Sequence, residues 1–370
     1  MLEFFDPDSH IEEPVDLWDS LAAAFGGRAP KVLQVEVPER PHRNAQWLID
    51  GNLFPKPIGY GSNVHGSPPI SSFAASKPVR LESQSLQDVE ARIEDMLGMN
   101  VQHSVLFPTT LLQPLTQDPE LEVALVAEYN NYMARKCQQS GGRIGWAAPV
   151  PMLDMRHAVS EVQRAKSLGA SGIMVLGTAG DILLHDVRLR PLFDAVSRSE
   201  LPLCVHIGWA HTSTLLSCPD VTTGFALVFD QSILQAIFSM LAGGILDEFP
   251  DLKVGIFEGG VGLMKAFIER LEHWYPVHTV QPWPSKRSPI ETLRASHVYF
   301  SVEGDESELR SFIDVCGSDK LMVSADYPHV HFEGGGPLPA FSNVLSRNDL
   351  SDREKEKLTR DNAMAFFERP

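Results

Sequence analysis

The chain is short of cysteine and short of positive charge. Its 370 residues hold only four cysteines (Cys137, Cys204, Cys218 and Cys316), and none sits in a CxxC pair. That spacing argues against a zinc–thiolate cluster or a disulfide framework and for a reducing cytoplasm. Lys and Arg number 31 against 48 Asp and Glu, a formal net charge of -17, which is the wrong sign for a nucleic-acid surface. No apolar run reaches the roughly 18 residues that suggest a membrane span. The first residues lack the basic region and long apolar run of a signal peptide. A GxSxG nucleophile elbow, a Walker A loop and a GxGxxG turn after a strand are missing as well. The expectation is a cytoplasmic protein that acts on small molecules, with no nucleic-acid or membrane partner.

What the chain does contain is a repeated alternation. Eight short apolar runs, at 2–8, 102–109, 143–151, 171–177, 201–208, 252–260, 297–305 and 320–329, each close in polar or glycine residues. Their near-continuous apolar character suits strands buried on both faces, as a parallel sheet requires. Amphipathic helical patterns fall between them, over 85–99, 120–138, 156–168, 229–249 and 261–274. Eight strands alternating with helices predict an α/β protein, a closed (β/α)8 TIM barrel. The length suits one barrel domain over 1–370, and is enough to bury a core without staples. Residues 14–84, rich in Pro, Gly, Ser and Asn, form a long insertion after strand one and are expected to act as a cap or lid. Residues 275–296 make a second loop on the same face. The helices at 229–249 and 261–274 are candidates for a homo-oligomer interface, although packing on their own barrel explains them better.

In such a barrel the polar residues at the C-terminal strand ends converge on one mouth. Strand one ends in Asp6, Asp8, His10, Glu12 and Glu13, and strand five in His206 with His211 nearby. Strand six ends in Glu258, strand seven in Glu303 and Asp305, strand eight in Asp326 and His329. Taken singly, each acid is an ordinary helix cap and each histidine an ordinary hydrogen-bonded loop residue. Together they would bury several ionisable groups in one place, which is costly unless a cation neutralises them. A divalent metal does so directly.

At these residues the sequence resembles the metal-dependent, amidohydrolase-like barrels of the aminocarboxymuconate-semialdehyde decarboxylase type. The markers are DPDSHIEEP (6–14), PLCVHIG (202–208), IFEGGVGLMKAFIERLEHW (256–274), SADYPH (324–329) and RDNAMAFF (360–367). The resemblance implies metal ligands at Asp8, His10, His206 and Asp326. Two positions depart from it: Asp8 stands where relatives often carry the first histidine of HxH, and Glu258 where a strand-six histidine is expected. Replacing imidazoles by carboxylates makes a harder, more anionic site, which suits iron or manganese, although zinc accepts it too. That pattern resembles a branch of dinuclear nonheme iron monooxygenases, which implies CoA-linked or other hydrophobic acids as substrates.

Two chemistries follow. In the first, two iron ions held by Asp8, His10, Glu13, His206, Glu258, Asp326 and His329 activate O2 as co-substrate, with an external electron donor, and hydroxylate a C–H bond of a hydrophobic acid or its CoA thioester. Phe54, Trp209, Phe257 and Trp274 are candidates for its apolar wall. In the second, one zinc or manganese ion serves a hydrolase or non-oxidative decarboxylase, with Glu258 or His329 as the catalytic proton carrier. The carboxylate substitutions favour the first. A barrel that had lost catalysis would have replaced its ligands by apolar residues, and this one keeps them polar.

Overall fold

All eight apolar runs become strands of one parallel sheet. In a computed structural model, residues 3–34, 45–57, 80–210, 224–277, 281–329 and 339–368 are described. The sheet runs β1 (Phe4–Ile11), β5 (Val101–Pro108), β6 (Ile144–Pro149), β7 (Gly172–Leu176), β10 (Leu203–His206), β11 (Val254–Phe257), β12 (Val298–Val302), β13 (Leu321–Val323). Every neighbouring pair in it is parallel. The first and last strands meet just beyond β13, where the His10 N–H donates to the Tyr327 carbonyl at 2.7 Å and the Asp326 N–H to the Asp8 carbonyl at 3.0 Å. Those bonds close the sheet into the expected barrel.

Side chains alternate between two cores, as strand geometry dictates. Ile173, Val175, Leu203, Val205, Val254, Ile256, Leu321 and Val323 join the large layer under the helices. Their neighbours Met174, Cys204 and Met322 fill the barrel interior with Phe5, Phe107 and Phe257. The floor is plugged by the C-terminal helix Asn362–Phe366, whose Phe366 lies 5.1 Å from Tyr299 and 6.1 Å from Phe257 between ring centroids.

In β1 the alternation is interrupted. Asp6 pairs with Ser104 but Ser9 with Leu106, so β1 spends three residues where its partner spends two. The extra residue is a bulge, and it falls beside Pro7, which has no N–H to give a ladder. Phe5 points into the barrel below it. Past the bulge the parity has flipped, and Asp8 and His10 face inward where Pro7 and Ser9 otherwise would.

Aspartates mark the helix starts on the β5–β7 side. Asp88, Asp118 and Asp154 each accept a backbone N–H at the start of Val89–Gly98, Pro119–Gln139 and Met155–Leu168. The apolar helical pattern at 229–249 is broken into Gln231–Leu241 and Ile245–Glu248, with Gly244 at φ +82 between them. Among the described residues, Leu227–Glu248 is the one stretch long and apolar enough to cross a membrane, and 67% of it is buried inside the protein. The insertion carries more order than its composition suggests. Lys31–Gln34 (β2), Ala45–Ile49 (β3) and Asn52–Pro57 (β4) form an antiparallel sheet. Trp18 and Trp47 pack edge to face at 5.0 Å between centroids within the main core. Residues 35–44 and 58–79 of the insertion lie outside the described residues.

Gly255 on β11 has no room for a side chain: a Cβ there would lie 2.5 Å from a Phe257 ring carbon and 2.8 Å from one of Phe366. Gly255→Ala is expected to destabilise the fold by about 1–3 kcal/mol, the usual cost of overpacking a filled core. Urea unfolding monitored by circular dichroism measures it, and an unchanged midpoint would contradict the tight floor.

Candidate metal centre

Asp8 and His10 from β1, His206 from the end of β10, and Asp326 and His329 after β13 gather in the C-terminal mouth. Asp8, His10 and His206 form one group, and His10, Asp326 and His329 a second. Within each group the donor atoms lie within 4.8 Å of one another, and every residue is buried. Asp8 Oδ1 is 3.2 Å from His206 Nε2 and 3.7 Å from His10 Nε2. Asp326 Oδ1 is 3.3 Å from His10 Nε2 and 3.0 Å from His329 Nδ1.

The histidine tautomers follow from their backbone partners. A carbonyl can only accept, so His10 Nδ1–H donates to Pro108 O at 3.1 Å and His206 Nδ1–H to Ile207 O at 2.8 Å. In the neutral rings both Nε2 atoms then carry lone pairs, and both face carboxylate oxygens. Acceptors opposed this closely require a cation between them, either a proton or a metal ion. Imidazole nitrogens oriented by carbonyls, together with carboxylate oxygens, are a donor set that zinc and manganese accept. Burial, and then the negative charges of Glu258, Asp8, Glu303 and Asp6, hold the Asp326 carboxyl well above its ordinary pKa. Burial by itself would lower the His206 pKa, but the charges of Asp8 and Glu258 and the hydrogen bonds to Asp8 and Ile207 together raise it. Without a metal, this centre stores protons.

Two of the acids sit on unusual backbone. Glu258 (φ +61) and Asp326 (φ +49) are left-handed without being glycine, a strain that tends to persist at functional sites. At the end of β11 it turns Glu258 aside from the inward Phe257. The Glu258 side chain keeps 23% exposure, and its Oε2 is 3.8 Å from His206 Nε2.

The remaining expected residues divide. Glu13 is not brought into either group: its carboxylate accepts the Thr109 N–H, the Thr110 N–H and the Thr110 hydroxyl at 2.7–3.1 Å. It anchors the loop after β5. Glu12 enters the mouth, with Oε1 3.2 Å from His329 Nε2, which also meets the Thr109 hydroxyl at 2.8 Å. Asp6 accepts the Ser9 hydroxyl at 2.6 Å and the Ala325 N–H at 3.1 Å, tying β1 to β13, and burial pushes its pKa up to about 7. Glu303 and Asp305 are exposed, and His211 lies outside the described residues. Of the candidate wall residues, Phe257 stacks parallel to His206 at 6.4 Å between centroids, and Phe54 and Trp209 are buried in the outer core. Trp274 is a correction: it is 47% exposed on the surface, beneath the Arg270 guanidinium.

Thr109, Thr110 and Ser301 also belong to the mouth, and as hydroxyl residues they carry no signal among strand-end acids and histidines. Ser301 on β12 donates its hydroxyl to Asp8 Oδ2 at 3.2 Å and accepts the Glu258 N–H at 2.9 Å. It links the two acids. Its inward position on β12 was available from strand alternation, with Val298, Phe300 and Val302 facing the helices.

Fold and site together define a (β/α)8 barrel with a buried imidazole–carboxylate centre at its C-terminal mouth. Residues 90–369, well over half the chain, match the family described as Amidohydrolase, and the chain belongs to that family. The 2-amino-3-carboxymuconate-6-semialdehyde decarboxylase of Dictyostelium discoideum is 24% identical over 319 residues, which are 84% of this chain and 86% of that protein. An amidohydrolase from Mycobacterium avium subsp. paratuberculosis superposes with a TM-score of 0.73 at 21% identity, over 99% of both chains. The 5-carboxyvanillate decarboxylase of Novosphingobium aromaticivorans superposes with a TM-score of 0.68 at 19% identity, over 99% of this chain and 96% of its own, in a structure with manganese and 4-hydroxy-3-methoxy-5-nitrobenzoic acid.

These relatives overturn the expectation of a diiron monooxygenase. They are amidohydrolases and non-oxidative decarboxylases, and nothing in them supports an iron pair, O2, an electron donor or an acyl-CoA substrate. The error lay in reading carboxylates as a sign of iron. Carboxylate-for-imidazole exchange hardens a site without selecting one hard metal over another.

Two outcomes are expected of this centre. Ser301→Ala should weaken divalent-metal binding by about 10–100-fold, as loss of a group that orients a ligand does, without unfolding the protein. Because the raised Asp326 carboxyl must lose its proton to bind an ion, metal affinity should increase with pH and binding should release protons. Calorimetry in buffers of different ionisation enthalpy measures both, and a pH-independent affinity would remove Asp326 from the ligands.

Proposed function

We propose that the protein is a metal-dependent lyase that removes CO2 from a small organic acid without oxidation. The observation that carries it is a buried donor set, Asp8, His10, His206 and Asp326, beside one carboxylate with solvent access, Glu258. The decarboxylase relatives support the same reading. The four residues would hold one divalent ion, zinc or manganese. When bound, such an ion supplies Lewis acidity that draws electron density toward a substrate oxygen.

The chain's own residues do the rest. In decarboxylation the C–C bond to the carboxylate breaks, CO2 leaves with no electrons lost, and the electron pair stays on carbon. A proton must then reach that carbon. Glu258 is the proton carrier in this reading, because its oxygen lies next to His206 while its side chain meets the mouth. His329 is the second group placed to carry a proton: its ring is fixed between Asp326 and Glu12. The left-handed backbone at Glu258 and the Ser301 bond to its amide set the carboxylate at the mouth beside His206. In this reading residues 14–34 and 45–57 of the insertion, with Trp18 and Trp47 rooted in the main core, cap the strand ends and help exclude water from the reacting carbon.

Glu258→Gln preserves shape and removes the titrating oxygen. It is expected to lower turnover about 10²–10⁴-fold, the usual range for a lost acid–base group, while metal content stays at the wild-type level. The assay is CO2 release from a panel of hydroxy- and keto-acids by manganese- or zinc-loaded enzyme in a sealed anaerobic vessel. Release only in the presence of O2, or from none of these acids, would sink the reading.

A further inference from the structure

A cavity of about 530 Å³ lies over the C-terminal ends of β5, β6 and β7. Its wall includes Leu115, Val126, Val150, Met152, Met174 and Leu176. Among the described residues, no lysine, arginine or histidine lines it. Several of its polar wall groups are already engaged with protein: the Thr178 hydroxyl donates to Gly180 O at 2.6 Å and the Thr116 hydroxyl to Asp50 at 2.6 Å. Glu122 accepts the Leu153 N–H at 2.8 Å. Glu122 and Asp181 line the cavity as acids, so it disfavours an anion, and the rest of its surface is mainly apolar.

Two residues of the wall, Met174 and Leu176, also pack with the barrel interior beneath the centre. Leu176 is the register partner of His206 on the adjacent strand, about one strand spacing away. Met174 belongs to the interior cluster with Phe107, whose ring centroid is 4.8 Å from that of His206. Leu111 directly follows Thr109 and Thr110, which hold His329 and Glu13. At the rim, the Trp209 N–H bonds the Leu112 carbonyl at 2.8 Å. Gly208 permits that crossing, since a Cβ there would lie 2.4 Å from the same oxygen.

We infer that this cavity receives the apolar body of the substrate, whose carboxylate is held at the metal centre. The inference rests on the proposed lyase reading for the anchored end. It adds the substrate class: an amphiphilic acid with a hydrocarbon extension larger than a single ring. A volume of this size is in the range that encloses a drug-sized ligand, and burying charge in it has no compensation.

The test measures binding, so that it stands apart from turnover. Manganese-loaded full-length protein is titrated by calorimetry with straight-chain carboxylates from butanoate to dodecanoate. Affinity is expected to rise about three- to fourfold per methylene until the cavity is full, following apolar transfer, and then to level. Ala179→Trp and Met152→Trp, two independent fillings of the same wall, should flatten the rise while leaving butanoate affinity unchanged. Two variants guard against one misfolding. Affinity independent of chain length, or an equal slope in the wild type and both variants, would overturn the inference. A chain-length slope that the variants abolish, in a protein that releases no CO2, upholds the cavity and sinks the lyase reading alone. CO2 release with no slope does the reverse.

Discussion

Two backbone hydrogen bonds, His10 N–H to Tyr327 O and Asp326 N–H to Asp8 O, hold the site in being. They join the first strand to the segment after the last, and they do so at the ligand positions themselves. Closing the barrel and assembling the centre are therefore one event. The chain brings residues more than 300 positions apart into contact, at a loop-closure cost that grows only slowly with separation. Anything that frays this seam separates Asp8 and His10 from Asp326 and His329 before it disturbs the outer core.

The charge balance of the mouth follows from that closure. Asp8, Asp326 and Glu12 are drawn into a space with three imidazoles, and their oxygens face ring nitrogens at 3.0–3.7 Å. Burial penalises every charged form there, yet the imidazole tautomers set by Pro108 and Ile207 leave lone pairs aimed at carboxylates. The resulting frustration is relieved by cations: protons when the pH is low, a metal ion when one is bound. Unpaired buried charge is destabilising, so the polar mouth has to rest on a rigid interior, which Phe107, Phe257 and Phe366 supply.

Glu258 stands where the sequence resemblance implies a histidine. A carboxylate there adds negative charge beside Asp326 and gives the mouth an acid with access to solvent. A carboxylate in place of an imidazole points toward iron and oxygen in sequence, and the decarboxylase relatives overturn that expectation. Ligand chemistry limits which metals are acceptable, but which reaction is run depends on the open positions and proton carriers around them. Those are geometric properties.

Sequence alone was enough for the barrel, because eight apolar runs and the helices between them are local patterns that one topology satisfies. It was also enough to name the strand-end residues that form the centre: Asp8, His10, His206, Asp326 and His329. Only the tertiary structure separated them from their neighbours. Glu13, three residues from His10, turned to the Thr109–Thr110 loop, while Glu12 turned to His329. The bulge beside Pro7 decides which residues of β1 face inward, and a one-residue slip of that kind reverses every side chain beyond it. Ser301 and the apolar cavity exist only as meetings of strands distant in sequence. Composition and periodicity report what each segment buries; which atoms then lie within three ångströms depends on closure, register and backbone strain.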